Sequence, residues 1–141
     1  MKKEIVYNQI SQAILPLSEG LSFMSESDYP LVVRSVTVEG DATTLDAIFL
    51  QVLKQRRVKV QTPVQTLTAD DFFQRTITVQ EWMSDAEKAT VARFQALVVA
   101  LKERCIELAV FKVGAISIDV FVIGKTLEGE VLVLQTKSIE T

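Results

Sequence analysis

The sequence predicts an α+β domain, a three-layer α/β/α sandwich around a mainly antiparallel central sheet. Two strand-like segments near the carboxy terminus contain runs apolar on both faces, Val120-Phe121-Val122-Ile123 and Val131-Leu132-Val133-Leu134. A sheet with one wet face alternates apolar and polar residues, so unbroken runs require cover on both sides. A long amphipathic helix before these strands and shorter helices near the amino terminus supply one cover each. Glycine-bearing turns between the last strands make neighbouring strands antiparallel.

Each element has its own local signal. Residues 4–15 carry Val6, Ile10, Ala13 and Ile14 at helical spacing. Pro16 should end or kink that helix near Leu15, because proline lacks the N–H and crowds the preceding turn. Gly20 permits a sharp change of direction. Residues 31–39 set Val33, Ser35 and Thr37 against Val32, Arg34, Val36 and Val38, a β-branched strand pattern. Thr43 or Thr44 can cap a short helix with the stripe Leu45, Ile48, Phe49 and Leu53. Residues 58–67 are β-prone but hold Pro63, which predicts an edge strand, and a turn of helix follows at 70–73.

The clearest helix covers 85–104. Ser84-Asp85-Ala86-Glu87 fits a capping box, and Val91, Phe94, Val98, Leu101 and Cys105 form its stripe. Three strands follow at 107–113, 115–124 and 129–137, with Gly114 and Glu128-Gly129 at the turns.

The totals narrow the function. A chain of 141 residues with 48% hydrophobic and 23% charged residues fits one packed domain over 1–141. Its net charge of −3 argues against a dedicated nucleic-acid binder and is compatible with a basic protein partner. The start, Met1-Lys2-Lys3-Glu4, leads into Asn8, Gln9, Ser11 and Gln12 rather than an apolar run. Neither a signal peptide nor a membrane span is expected, and a cytoplasmic location is the default.

Chemistry is sparse. There is no histidine, the commonest general base and metal ligand, so an activated Ser or Cys nucleophile lacks its usual partner. Cys105, the single cysteine, makes no internal disulfide and on the helix stripe reads as a small buried hydrophobe. No Cys/His cluster or Gly-rich strand-to-helix loop offers a zinc or phosphate site. Asp70-Asp71 suits helix-start capping, and Asp119 falls within an apolar strand. Nothing nominates a catalytic carboxylate pair, so a non-enzyme without cofactor is expected. Lys54, Arg56, Arg57 and Lys59 cluster without interleaved aromatics, which fits a solvated face or a guard on an edge strand.

The segment Phe23-Met24-Ser25-Glu26-Ser27-Asp28-Tyr29-Pro30 sets two acids among small hydroxyl residues and buries little. It reads either as a turn with local Ser and Asp hydrogen bonds or as an exposed acidic loop held at both ends. From Gly20 to Pro30 it resembles the loop of the cyanobacterial nuclease A inhibitors. The resemblance resumes at Asp70-Asp71-Phe72-Phe73, Glu81-Trp82 and Ala92-Arg93-Phe94-Gln95. It continues at Asp119 to Gly124 and in the ending Thr136-Lys137-Ser138-Ile139-Glu140-Thr141. Residues 31–69 do not carry it.

That family resemblance implies an α/β/α sandwich and one-to-one inhibition of a Mg-dependent, non-specific DNA/RNA nuclease of the ββα-metal class. It implies no catalysis, no direct nucleic-acid contact and no metal of the chain's own. By the same resemblance Glu26 and the C-terminal Thr141 reach the metal of the partner nuclease. The expected interface comprises Ser25, Glu26, Ser27, Asp28, Tyr29, Gln80, Glu81, Trp82, Glu140 and Thr141, with core or rim packing as the equal alternative for Tyr29 and Trp82. The physical logic is direct: magnesium prefers hard oxygen donors, and a loop carboxylate can replace a substrate phosphate without offering a scissile bond. A binding module of the same fold with a different partner, motivated by residues 31–69, is the alternative.

Overall fold

The computed structural model describes residues 7–38, 44–60 and 62–141. Helix α1 (Gln9–Ser18) starts where Asn8 accepts the Ser11 N–H at 3.0 Å and the Glu130 carboxylate takes the Gln9 and Ile10 N–H groups. The expected helix over 4–15 is thus displaced, and its residues 4–6, Val6 included, lie outside the described residues. Pro16 does not end it. Proline removes one N–H and faces solvent, while Leu15 O accepts both Glu19 N–H and Ser18 Oγ–H, so the helix reaches Ser18.

Helix α2 (Leu45–Gln55) is capped by Thr44, which accepts from Ala47, and buries Ile48, Phe49, Val52 and Leu53; Thr43 lies outside the described residues. Helix α3 (Ala69–Phe73) is capped by Thr68, not by the aspartates. Asp70 and Asp71 occupy its first turn, where negative charge complements the helix dipole. Helix α4 (Asp85–Arg104) has the expected capping box: Ser84 Oγ accepts from Glu87 N, and Glu87 Oε1 accepts from Ser84 N. Leu97 joins its buried stripe, and Cys105 is the half-buried C-cap.

Strands β1 (Ser22–Met24) and β2 (Asp28–Pro30) pair as an antiparallel ribbon. The main sheet holds β3 (Val32–Arg34), β4 (Val64–Leu67), β5 (Glu107–Val113), β6 (Ser117–Lys125) and β7 (Val131–Ile139), in the order β3-β7-β6-β5-β4. Every neighbouring pair is antiparallel. Gly114 and Gly129 take φ of +116° and +87° at the two turns joining β5, β6 and β7, a region glycine enters without a Cβ clash. β4 lies at the sheet edge and begins just after Pro63, so the expected edge strand shortens to four residues; Gln61, within the expected range, is outside the described residues. The strand expected over 31–39 also shortens. Beyond Arg34, Val36 and Val38 leave the ladder and pack on the α2 side, and Glu39 lies outside the described residues.

Two apolar clusters use alternate residues of the strands. Val110, Val120, Val122, Leu132 and Leu134 pack with Ile14, Phe73, Phe94, Leu97 and Leu101 from α1, α3 and α4. Phe111, Val113, Phe121, Ile123 and Val133 pack with α2, where Phe49 stacks on Phe111 at 4.3 Å. This accounts for the continuous apolar runs. Among the described residues only α2 packs on the face opposite α4, however. The amino-terminal α1 packs beside α4, because Gly20 (φ +77°) and the buried Leu21 turn the chain back onto the same cluster. The result is a mixed α/β fold with four helices, a five-stranded antiparallel sheet and a separate two-stranded ribbon among the described residues.

Candidate functional site

The segment read from sequence as an acidic loop is the β1–β2 hairpin, with Ser25-Glu26-Ser27 as its tip. Its base is fixed by apolar contacts. Leu21 and Leu31 are buried, Leu31 N–H donates to Leu21 O at 3.0 Å, and Phe23 stacks on Phe72 with centroids 4.6 Å apart. Thr136 Oγ1 donates to Tyr29 O at 3.2 Å and fastens β2 to β7. Within the tip, Ser25 donates from its backbone N and from Oγ to Ser27 O, at 3.2 and 2.9 Å.

The tip closes on the segment that leaves β7. Ile139 N–H donates to Ser25 Oγ at 3.0 Å, and Glu26 N–H donates to Ile139 O at 3.3 Å. Thr141 donates to both Glu26 carboxylate oxygens: its N–H to Oε2 at 3.1 Å and its hydroxyl to Oε1 at 2.6 Å. Glu26 and Thr141, 115 residues apart in the chain, therefore meet, and both stay exposed. Between Ile139 and Thr141 in the chain, Glu140 accepts at Oε2 from Lys112 Nζ and from Ser138 Oγ, each at 2.8 Å. The Lys112 hydrogen bond holds the Glu140 carboxyl below its usual range, against the opposing effect of partial burial.

Glu26, Ser25, Glu140 and Thr141 line one open depression of ≈ 530 Å³, together with Arg75, Lys112, Asp71 and Phe72. Gln80 and Trp82 line a second of ≈ 520 Å³ with Met24 and Met83, and Arg75 borders both. Trp82 and Met24 are 73% and 68% exposed, so two large apolar side chains stand in solvent close to a charged tip. Ser27, Asp28 and Glu81 are exposed and Tyr29 is half-buried; none of these four lines either depression. Arg75 and Lys112 escaped sequence reading. A lysine inside the apolar Phe111-Lys112-Val113 was the available signal for the second.

Elsewhere the chemistry is quiet. Burial pushes the Cys105 thiol up to about 11, so it is a neutral packing group near neutral pH. Asp119 sits opposite Lys137 in the β6–β7 register. Lys54, Arg56, Arg57 and Lys59 lie at and beyond the end of α2 and border neither depression. Among the described residues no three His, Cys, Asp or Glu side chains converge as a metal site, and no helix is long and apolar enough to cross a membrane.

No curated protein matches the sequence significantly. The sequence model of the nuclease A inhibitor-like protein family matches residues 8–141, and so runs through 31–69, where the resemblance read from sequence had stopped. With nearly its whole length matched, this chain belongs to the nuclease A inhibitor-like family.

Proposed function

We propose that this protein inhibits a non-specific, Mg-dependent nuclease of the ββα-metal class, one to one, by offering the Glu26 carboxylate and Thr141 to the metal of the partner. Family membership supports a nuclease inhibitor in general. The observation behind the finer reading is the meeting of Glu26 and Thr141 at an exposed tip. A carboxylate has about four acceptor positions, and Thr141 takes two, so the group is oriented yet can still accept a cation or its bound water. Orientation matters because a side chain ordered before binding does not lose that freedom on binding. Trp82, Gln80 and Met24 in the adjoining depression are the flanking contacts, and rigid exposed aromatics suit that role. The single domain spans the chain as a three-layer sandwich, a reading supported by the two clusters that share the sheet.

The purified protein, mixed with a ββα-metal nuclease, should stop DNA digestion near equimolar ratio. Glu26→Gln keeps the shape and a carbonyl acceptor but loses the charge. It should weaken inhibition by roughly tenfold to a hundredfold, the range for a lost charge-assisted contact. Unchanged digestion across several such nucleases would sink the proposal; equal potency of Glu26→Gln would sink its mechanism. The reading as a same-fold module with another partner drew on residues 31–69, which the family match now includes.

A further inference from the structure

We infer that Lys112 and Glu140 are positioning residues: their ion pair, braced by Ser138, fixes the path of residues 138–141 so that Thr141 meets Glu26. This rests on the proposed inhibitory role of the tip and reassigns Glu140 from partner contact to internal clamp.

A segment running past the last pair of a strand frays unless something ties it down. Here the last two residues of β7 and the two beyond it are each tied. Ser138 is buried and donates to Glu140; Ile139 exchanges bonds with Ser25 and Glu26. Glu140 N–H donates to Ile116 O at 3.0 Å while its carboxylate meets Lys112, and Thr141 reaches Glu26. The Lys112 side chain is only 14% exposed and that of Glu140 48%. Most of the Lys112 side chain is covered, which fixes where its ammonium can sit, and the Glu140 carboxylate is the acidic group that meets it there. Residue 140 lies between the two residues that bond the tip, so placing its side chain sets the direction in which Thr141 leaves. The Lys112 ammonium comes from β5 and the Ile116 carbonyl from the β5–β6 turn, both outside the hairpin. The clamp therefore refers the tip to the main sheet.

Glu140→Gln tests this at an exposed position, with Lys112→Met as the harsher variant on the other side of the pair. In the free protein, the Thr141 and Ile139 amides should exchange with solvent at least tenfold faster in Glu140→Gln, while the thermal midpoint stays close to that of the parent. Inhibition of the nuclease should weaken at least tenfold, and Glu140→Asp should recover part of it. Parent-like exchange at Thr141 would overturn the clamp. Faster exchange with parent-like inhibition would overturn its role in positioning. If the parent protein itself fails to inhibit, the functional proposal has failed, and the exchange measurement still decides the clamp.

Discussion

Ser25→Ala removes one oxygen that does two jobs. Ser25 Oγ accepts the Ile139 N–H at 3.0 Å and donates to Ser27 O at 2.9 Å, joining tip to tail and holding the tip's own bend. The residue is half-buried, so water replaces these bonds incompletely. A net value of about 0.5–1.5 kcal/mol for each neutral bond gives a loss of roughly 1–3 kcal/mol. Most of that should be local, since neither Ser25 nor Ile139 belongs to the apolar clusters built on Leu132, Leu134 and Phe121. On the proposed mechanism, binding needs the closed tip. If opening becomes easier by about 1.4 kcal/mol where the closed form was barely dominant, its share falls from about one half to about one tenth, and the apparent Kd rises about fivefold. Hydrogen exchange at Ile139, urea unfolding and inhibition of digestion together read the three consequences. Ser25→Thr, which keeps the hydroxyl, is the control. Unchanged protection of Ile139 in Ser25→Ala would refute the coupling of tip to tail, and lost protection with parent-like inhibition would refute the need for a closed tip.

Four further outcomes follow from the structure. A Cβ at Gly124 would lie 2.5 Å from Cys105 Sγ, so Gly124→Ala should lower urea stability by about 1–3 kcal/mol, with much of the loss absent in a Cys105→Ala background. The Cys105 thiol, raised to about 11 by burial, should react with a small disulfide reagent at pH 8 far more slowly in the native than in the unfolded protein. A raised folded pKa also means that its share of stability is present below the unfolded pKa and fades as pH climbs toward 11, a trend that Cys105→Ala should flatten. Trp82→Ala, at a side chain 73% exposed, should change stability by no more than about 0.5 kcal/mol in urea unfolding while weakening inhibition of the nuclease.

Sequence reading succeeded where the determinants are local. The Ser84/Glu87 capping box and the apolar stripe after it placed α4 from Asp85 to Arg104, and Gly114 and Gly129 marked turns that need positive φ. It failed where a local cue competed with a distant partner. Asn8 looked like an interruption of an apolar stretch and is the cap of α1, reinforced by Glu130 from the far end of the chain. Pro16 signals an end or a kink; the end does not occur, since α1 runs through Pro16 with Ile14 and Ser18 buried on either side. Ser25-Glu26-Ser27 has no glycine to announce a hairpin; bonds to residues more than a hundred positions away hold it. For the same reason the residue types at Glu26 and Thr141 were legible, but their contact and the Lys112 clamp were not.

The dependence of the tip on the sheet has a consequence for how variation elsewhere would act. Thr141 stands two residues beyond β7, and β7 is paired on both sides, with β3 through Val33–Leu134 and with β6 along its whole length. Its register is therefore set by the apolar contacts of Leu132, Val133 and Leu134, all fully buried. A slip of one residue would carry Ile139 about 3.4 Å along the strand and turn every β7 side chain to the opposite face. Ser138 and Glu140 would then exchange faces with Ile139, and neither Lys112 nor Ser25 would find its partner. A core substitution that merely loosens β7 can thus weaken the tip without touching it, through geometry rather than through charge. Such a variant should lose protection at Ile139 and at the β6–β7 amides together, whereas Ser25→Ala should lose it at Ile139 alone. That difference separates a damaged support from a damaged contact.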